Sequence, residues 1–119
     1  MTTTIDLFRD ATDYVTLPAG HVLFRLGDPA DRAYVVLEGE VDIRVKDRLI
    51  DTVSVGGIVG EMALIDQSRR SATVIARKDC RLAPLDQKRL LFLIQETPYF
   101  AVTLMKIMCE RMRKLLELE

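Results

Sequence analysis

Residues 56–74 read Gly56-Gly57-Ile58-Val59-Gly60-Glu61-Met62-Ala63-Leu64-Ile65-Asp66-Gln67-Ser68-Arg69-Arg70-Ser71-Ala72-Thr73-Val74. The glycines at 56, 57 and 60 let the backbone come close to another group, and 61–65 has the composition to begin one short helical turn directly after them. Amides at a helix start have no intrahelical partner, and with the positive end of the helix dipole they favour an anion. Arg70 follows Glu61 by nine residues, a spacing that lets the intervening loop return and aim a guanidinium at the same point. The planar fork of a guanidinium fits two phosphate oxygens at once. The segment therefore has the parts of a phosphate site. A Glu and an Arg at this separation are usually an incidental surface pair, so the rest of the chain decides.

Outward from this segment the chain is a series of short β-type runs closed by Gly, Pro or Asp. Strands are predicted at 13–17, 22–26, 33–37, 41–45, 49–53, 71–76 and 81–85. Pro18-Ala19-Gly20, Gly27-Asp28-Pro29-Ala30, Glu38-Gly39-Glu40 and Lys46-Asp47-Arg48 supply the turns between them. Val41, Ile43 and Val45 alternate with Asp42 and Arg44, as in a strand with one wet face, whereas 33–37 is apolar enough to be buried on both sides. Many short strands at near-regular spacing argue a sandwich or barrel rather than βαβ units. Helices follow. Asp86 is placed to cap a helix over 87–95, and Thr97-Pro98 forms a cap and first-turn pair for a second helix running to the terminus. That last helix carries Phe100, Val102, Leu104, Met105, Ile107, Met108, Met112, Leu115 and Leu116, more than one apolar stripe. A second apolar face calls for a ligand or a partner copy to cover it.

The chain has 119 residues, the size of one domain with one core. Its 49% hydrophobic and 29% charged residues are those of an ordinary globular protein. A net charge of -1 offers no basic field to nucleic acid, although Arg111, Arg113 and Lys114 could form a local basic patch. No apolar stretch reaches membrane-helix length and the first residues lack a signal-peptide pattern, so the expectation is a cytoplasmic protein without membrane contact. Cys80 and Cys109 have no metal or disulfide spacing and are read as buried free thiols. His21 is the single histidine and follows a probable turn at the surface. With it alone, neither a metal centre nor a Ser-His-Asp set is available, and no catalytic residue is assigned.

A carboxylate beside an anion site is unfavourable unless it receives a donor, and a sugar hydroxyl is one. Gly60-Glu61-Met62-Ala63-Leu64 followed by Arg70-Ser71-Ala72-Thr73-Val74 closely resembles the phosphate-binding cassette of cyclic nucleotide-binding domains, as in kinase regulatory subunits, gated channels and bacterial catabolite activators. Pro18-Ala19-Gly20, Phe24, Gly27-Asp28, Tyr34 and 37–41 look like the family's early strands and turns. From Ser71 onward the chain is most similar to the bacterial catabolite activator and Fnr-type regulators. The resemblance implies a mainly β fold with flanking helices: a double-stranded β-helix (jelly-roll) barrel over roughly 13–85, a short N-terminal helix, and two C-terminal helices within 86–119. It also implies that Glu61 accepts from the ribose 2′-OH and Arg70 pairs with the cyclic phosphate. Gly60 and Ala63 would add backbone contacts within a ligand-binding segment that includes Met62 and Ala72. Ser71 would support the phosphate or meet a guanine base, which leaves cyclic AMP and cyclic GMP both open, with cyclic AMP favoured by the bacterial-type Arg70-Ser71-Ala72. Leu115 and Leu116 fall where activators place polar adenine contacts, and are candidates to cap the base by apolar contact or to serve as packing. The helix-turn-helix module of those activators is not part of this sequence, so no direct DNA contact is expected.

The reading these features imply is a non-catalytic sensor. The ligand orders 60–72, the C-terminal helices cover it, and the signal passes to a partner protein or through a homodimer formed by the last helix. Two alternatives remain: an interaction module without ligand control, and the sensory half of a longer transcription regulator.

Overall fold

The computed structural model describes residues 7–8, 13–66 and 68–117. Alternating apolar residues in short runs become eight strands: β1 (Val15–Leu17), β2 (Val22–Phe24), β3 (Arg32–Glu38), β4 (Val41–Val45), β5 (Arg48–Val53), β6 (Ile58–Val59), β7 (Thr73–Ala76) and β8 (Cys80–Asp86). Three helices are described: α1 (Met62–Asp66) between β6 and β7, then α2 (Gln87–Glu96) and α3 (Tyr99–Leu116). The strands form two four-stranded antiparallel sheets, ordered β1-β8-β3-β6 and β2-β7-β4-β5. They lie face to face as a jelly roll, two sheets rather than one closed barrel. The expected N-terminal helix lies outside the described residues except for Leu7 and Phe8, which are helical, and Phe8 is fully buried.

Two apolar cores explain the strand patterns. Leu17, Phe24, Val36, Val41, Ile43, Val53, Val59, Val74 and Leu82 come from both sheets and fill the space between them. The second core joins Ala33, Val35, Ile58, Ala83 and Leu85 of the first sheet to Leu64, Leu90, Leu93, Phe100 and Leu104 of the three helices. The first sheet is therefore covered on both faces, which is why β3 is nearly continuous in apolar residues, as its sequence suggested. The second sheet has one wet face, and β4 alternates accordingly.

Differences from the sequence expectations are local. β1 begins at Val15 and β7 at Thr73, and β2 stops at Phe24, because ladder pairing does not extend to the flanking residues. β6 was not anticipated: two residues after a Gly pair are too short a run to show a period, and only pairing with Tyr34 and Val35 defines them as a strand. Asp86 caps α2 as expected, accepting from the Arg89 amide at 2.8 Å. Thr97 does not cap α3 with its side chain. It closes α2, its amide donating to the Leu93 carbonyl, and Pro98 begins α3 without a side-chain cap. His21 is exposed as expected. Among the described residues no helix is long and apolar enough to cross a membrane.

The expectation of two buried thiols holds for Cys80 and fails for Cys109. Cys80 is buried and its Sγ lies 3.1 Å from the carbonyls of Glu40 and Lys78. Burial pushes its thiol pKa up. Cys109 is exposed on α3, because the helix turns only one face to the core. A thiol reagent at neutral pH should therefore modify Cys109 in the folded protein and reach Cys80 only on unfolding. Gly39 packs directly against the Cys80 strand. Its φ is +87°, and an added Cβ would run into the Asp79 carbonyl and lie 2.8 Å from Cys80 Sγ. Gly39→Ala should lower stability by about 2 to 4 kcal/mol, combining left-handed strain with overpacking, and should shift the urea midpoint.

Candidate functional site

The segment 60–72 is the passage by which the chain leaves the first sheet after β6 and enters the second at β7. Gly60 makes the turn with φ +75°. The amides of Ala63 and Leu64 then bond back to the carbonyls of Gly60 and Glu61, at 3.2 and 3.1 Å. Two of the amides expected to be free at the helix start are thus taken up by its first turn. α1 buries Ala63 and Leu64 and leaves Met62 exposed.

The return loop is held by the turn after β2, a partner the sequence did not reveal. The Arg70 amide donates to the Asp28 carbonyl and the Gly27 amide to the Arg70 carbonyl, each at 2.8 Å. Arg69 adds a bond from its guanidinium to the Gly27 carbonyl at 3.0 Å, and Thr73 accepts from the Leu26 amide at 2.9 Å. With its backbone clamped on both sides, Arg70 turns its side chain inward. Its guanidinium carbon lies 3.9 Å from the centre of the Phe24 ring, in cation–π range. It is only 7% exposed, and its Nε and Nη1 are buried with no hydrogen-bond partner among the described residues. Burial lowers its pKa, as it must for a cation removed from water. Gly60 makes room for it, since a Cβ there would sit 2.6 Å from Nη1.

Glu61 is also buried, at 4% exposure. Its Oε2 accepts from Nη1 of Arg111 on α3 at 2.5 Å. The carboxylate thus has a donor within the chain. The local basic patch suggested by Arg111, Arg113 and Lys114 is corrected for Arg111, whose side chain is 13% exposed and directed at Glu61. The available signal was helical: Arg111 lies four residues before Leu115 and so shares its face.

These groups line one pocket that opens to solvent. Gly60, Glu61, Met62, Ala63, Arg70, Ser71, Ala72 and Leu115 all border it, as do the unanticipated Arg111 and Phe24. Leu116 does not; it is 62% exposed, being rotated away from Leu115 on the helix. Ser71 is exposed, its hydroxyl 3.5 Å from Met62 Sδ. The remaining wall is apolar, from Ile43, Val45, Ile50 and Val74, apart from the exposed Arg69. Three guanidiniums, two of them largely buried, against one carboxylate leave the pocket net positive, which favours an anion.

A jelly roll whose sheet-crossing loop presents a buried, unpaired guanidinium is an anion-binding sensor fold. The cyclic nucleotide-binding domain model matches residues 14–97, and the chain belongs to that family. It is a cyclic nucleotide-binding regulatory domain. The catabolite activator protein of Thermus thermophilus superposes with a TM-score of 0.79 at 30% identity, covering 97% of this chain and 57% of that one. A cyclic nucleotide-gated potassium channel of Mesorhizobium japonicum is 36% identical over 81% of this chain and 26% of its own length. The lysophospholipase nte1 of Aspergillus fumigatus is 31% identical over 90% of this chain, which spans only 7% of that protein.

An unpaired buried guanidinium destabilises the ligand-free fold. Arg70→Met should therefore raise the stability of the ligand-free protein by about 1 to 3 kcal/mol, the usual penalty for unsatisfied buried polar groups. Urea titration of both proteins without nucleotide checks this.

Proposed function

We propose that this pocket binds cyclic AMP in preference to cyclic GMP, with Arg70 on the cyclic phosphate and Glu61 on the ribose 2′-OH. The observation that carries the reading is the Arg70 guanidinium, buried at the pocket wall with two nitrogens lacking an acceptor. A singly charged cyclic phosphate supplies the acceptors, whereas a linear 5′-phosphate brings nearly a second negative charge close to the Glu61 carboxylate. Glu61 retains acceptor capacity beside Arg111, since a carboxylate has about four lone-pair sites. Met62, Ala72 and the backbone at Gly60 and Ala63 contribute shape around the ring, and Ser71 lies beside the phosphate end. The largely apolar wall favours adenine, because guanine would bury additional polar groups without partners.

In this reading Leu115 covers the base from α3, and ligand occupancy is transmitted through the C-terminal helices, as a difference in affinity between two helix positions. Val102, Met105, Met112 and Leu116 are exposed on α3, and with Cys109 they follow the 3-4 spacing of a helix seam. That face supports a homodimer through α3, or a partner protein docked there. The roll and helices act as a single cytoplasmic domain, with no catalysis of their own and no direct contact with nucleic acid or membrane.

Calorimetric titration with cyclic AMP, cyclic GMP and 5′-AMP tests the assignment. Arg70→Ala should weaken cyclic AMP binding by about 2 to 5 kcal/mol. Glu61→Ala should cost about 1.5 to 3 kcal/mol. Affinities unchanged by both substitutions would remove the pocket from consideration.

A further inference from the structure

Arg111 is approached by carboxylates from both sheets. Glu61 follows β6 of the first, and Asp51 lies on β5 of the second, its Oδ2 3.9 Å from Arg111 Nε. Lys114, one helical turn further along α3, donates to Asp51 Oδ1 at 2.7 Å. The Asp51 carboxylate is itself oriented, because Oδ1 also accepts from the Thr52 amide at 2.9 Å. The hairpin register shifts beside it: Ile43 pairs with Asp51 but Arg44 pairs with Leu49. Such a bulge re-aims neighbouring side chains, and here Ile50 lines the pocket while Asp51 meets α3. Asp51 is 22% and Arg111 13% exposed. Lys114 is 46% exposed, so the Asp51–Arg111 side of the network is the better shielded part, and the Lys114 bond gains from belonging to a network rather than an isolated pair.

We propose that Asp51 is a positioning residue for ligand binding. Through Lys114 and Arg111 it clamps the last two turns of α3 to the β4–β5 hairpin and keeps Arg111 and Leu115 over the pocket. Every contact in the clamp is made between groups of the chain itself. A binding-competent state that is already populated raises apparent affinity by the fraction it occupies. The effect on affinity rests on the reading of the pocket as a cyclic nucleotide site; the clamp itself does not.

A simple field effect makes the opposite prediction for one variant. Neutralising Asp51 removes a negative charge near an anion site and should tighten binding, whereas loss of the clamp should loosen it. Neutralising Lys114 should loosen binding on either account. Asp51→Asn and Lys114→Met therefore separate the two.

Hydrogen exchange of α3 in the nucleotide-free chain and calorimetry with cyclic AMP and cyclic GMP are the measurements. Faster exchange at 107–117 in both variants is expected, with β4 and β8 unchanged. Both variants should bind roughly 2- to 10-fold more weakly, and the double variant should be no worse than the more damaging single one, since the pair acts as a unit. Unchanged exchange, tighter binding by Asp51→Asn, or faster exchange with unaltered affinity would each overturn the proposal. If the parent chain takes up neither nucleotide, the pocket reading fails and exchange alone decides whether the clamp exists.

Discussion

The rest of the molecule is organised around one buried cation. Removing a guanidinium from water is unfavourable unless its N–H groups find acceptors, yet Arg70 is held against the Phe24 ring with Nε and Nη1 unmatched. Such an arrangement persists only where the surrounding structure over-determines it. Here the determination is backbone: reciprocal 2.8 Å bonds tie Arg70 to Gly27 and Asp28, and the absence of a side chain at Gly60 leaves space for the guanidinium tip. On the proposed reading, the stability withheld at this point is available to an anion.

The two-sheet architecture makes that position possible. The segment bearing Glu61 and Arg70 crosses between the sheets, so its residues border the inter-sheet interior and the mouth of the roll together. The first sheet is buried by strands on one face and by helices on the other, which fixes α1 and α2 firmly through Leu64, Leu90 and Leu93. α3 is tied differently along its length. Phe100 and Leu104 anchor its start in the core, whereas its end is held by charge, with Arg111 on Glu61 and Lys114 on Asp51. Apolar anchoring is non-directional and changes little with a ligand, while ionic contacts at a pocket rim respond to every charge that enters. The end of α3 is therefore held by contacts of a different kind from those at its start.

The strand and helix order was legible from residues alone, since turn residues punctuate the chain and β3, β4 and α2 carry clear periods. β6 was hidden because two residues have no periodicity, and the Thr97 side chain was misassigned because a residue between two helices can serve either. Cys109 was expected to be buried on the general habit of free thiols, a habit that the outward face of α3 overrides. In the site, Glu61 and Arg70 and the residues around them were legible because they are close in sequence and their chemistry is complementary to a nucleotide.

What the amino-acid order determined by itself was local: turns from glycine and proline, strand and helix faces from apolar spacing, and a cassette whose charged members lie within one loop. Only the tertiary structure decided the contacts made across long separations. These include the Phe24 ring beneath Arg70, the turn at 27–28 that clamps the loop, the Arg111 bond to Glu61, and the exclusion of Leu116 in favour of Leu115. The reason is geometric. Side-chain direction on a helix is readable from spacing, but which neighbour that direction meets depends on how helix and sheet pack, and no periodicity in one segment encodes the position of another.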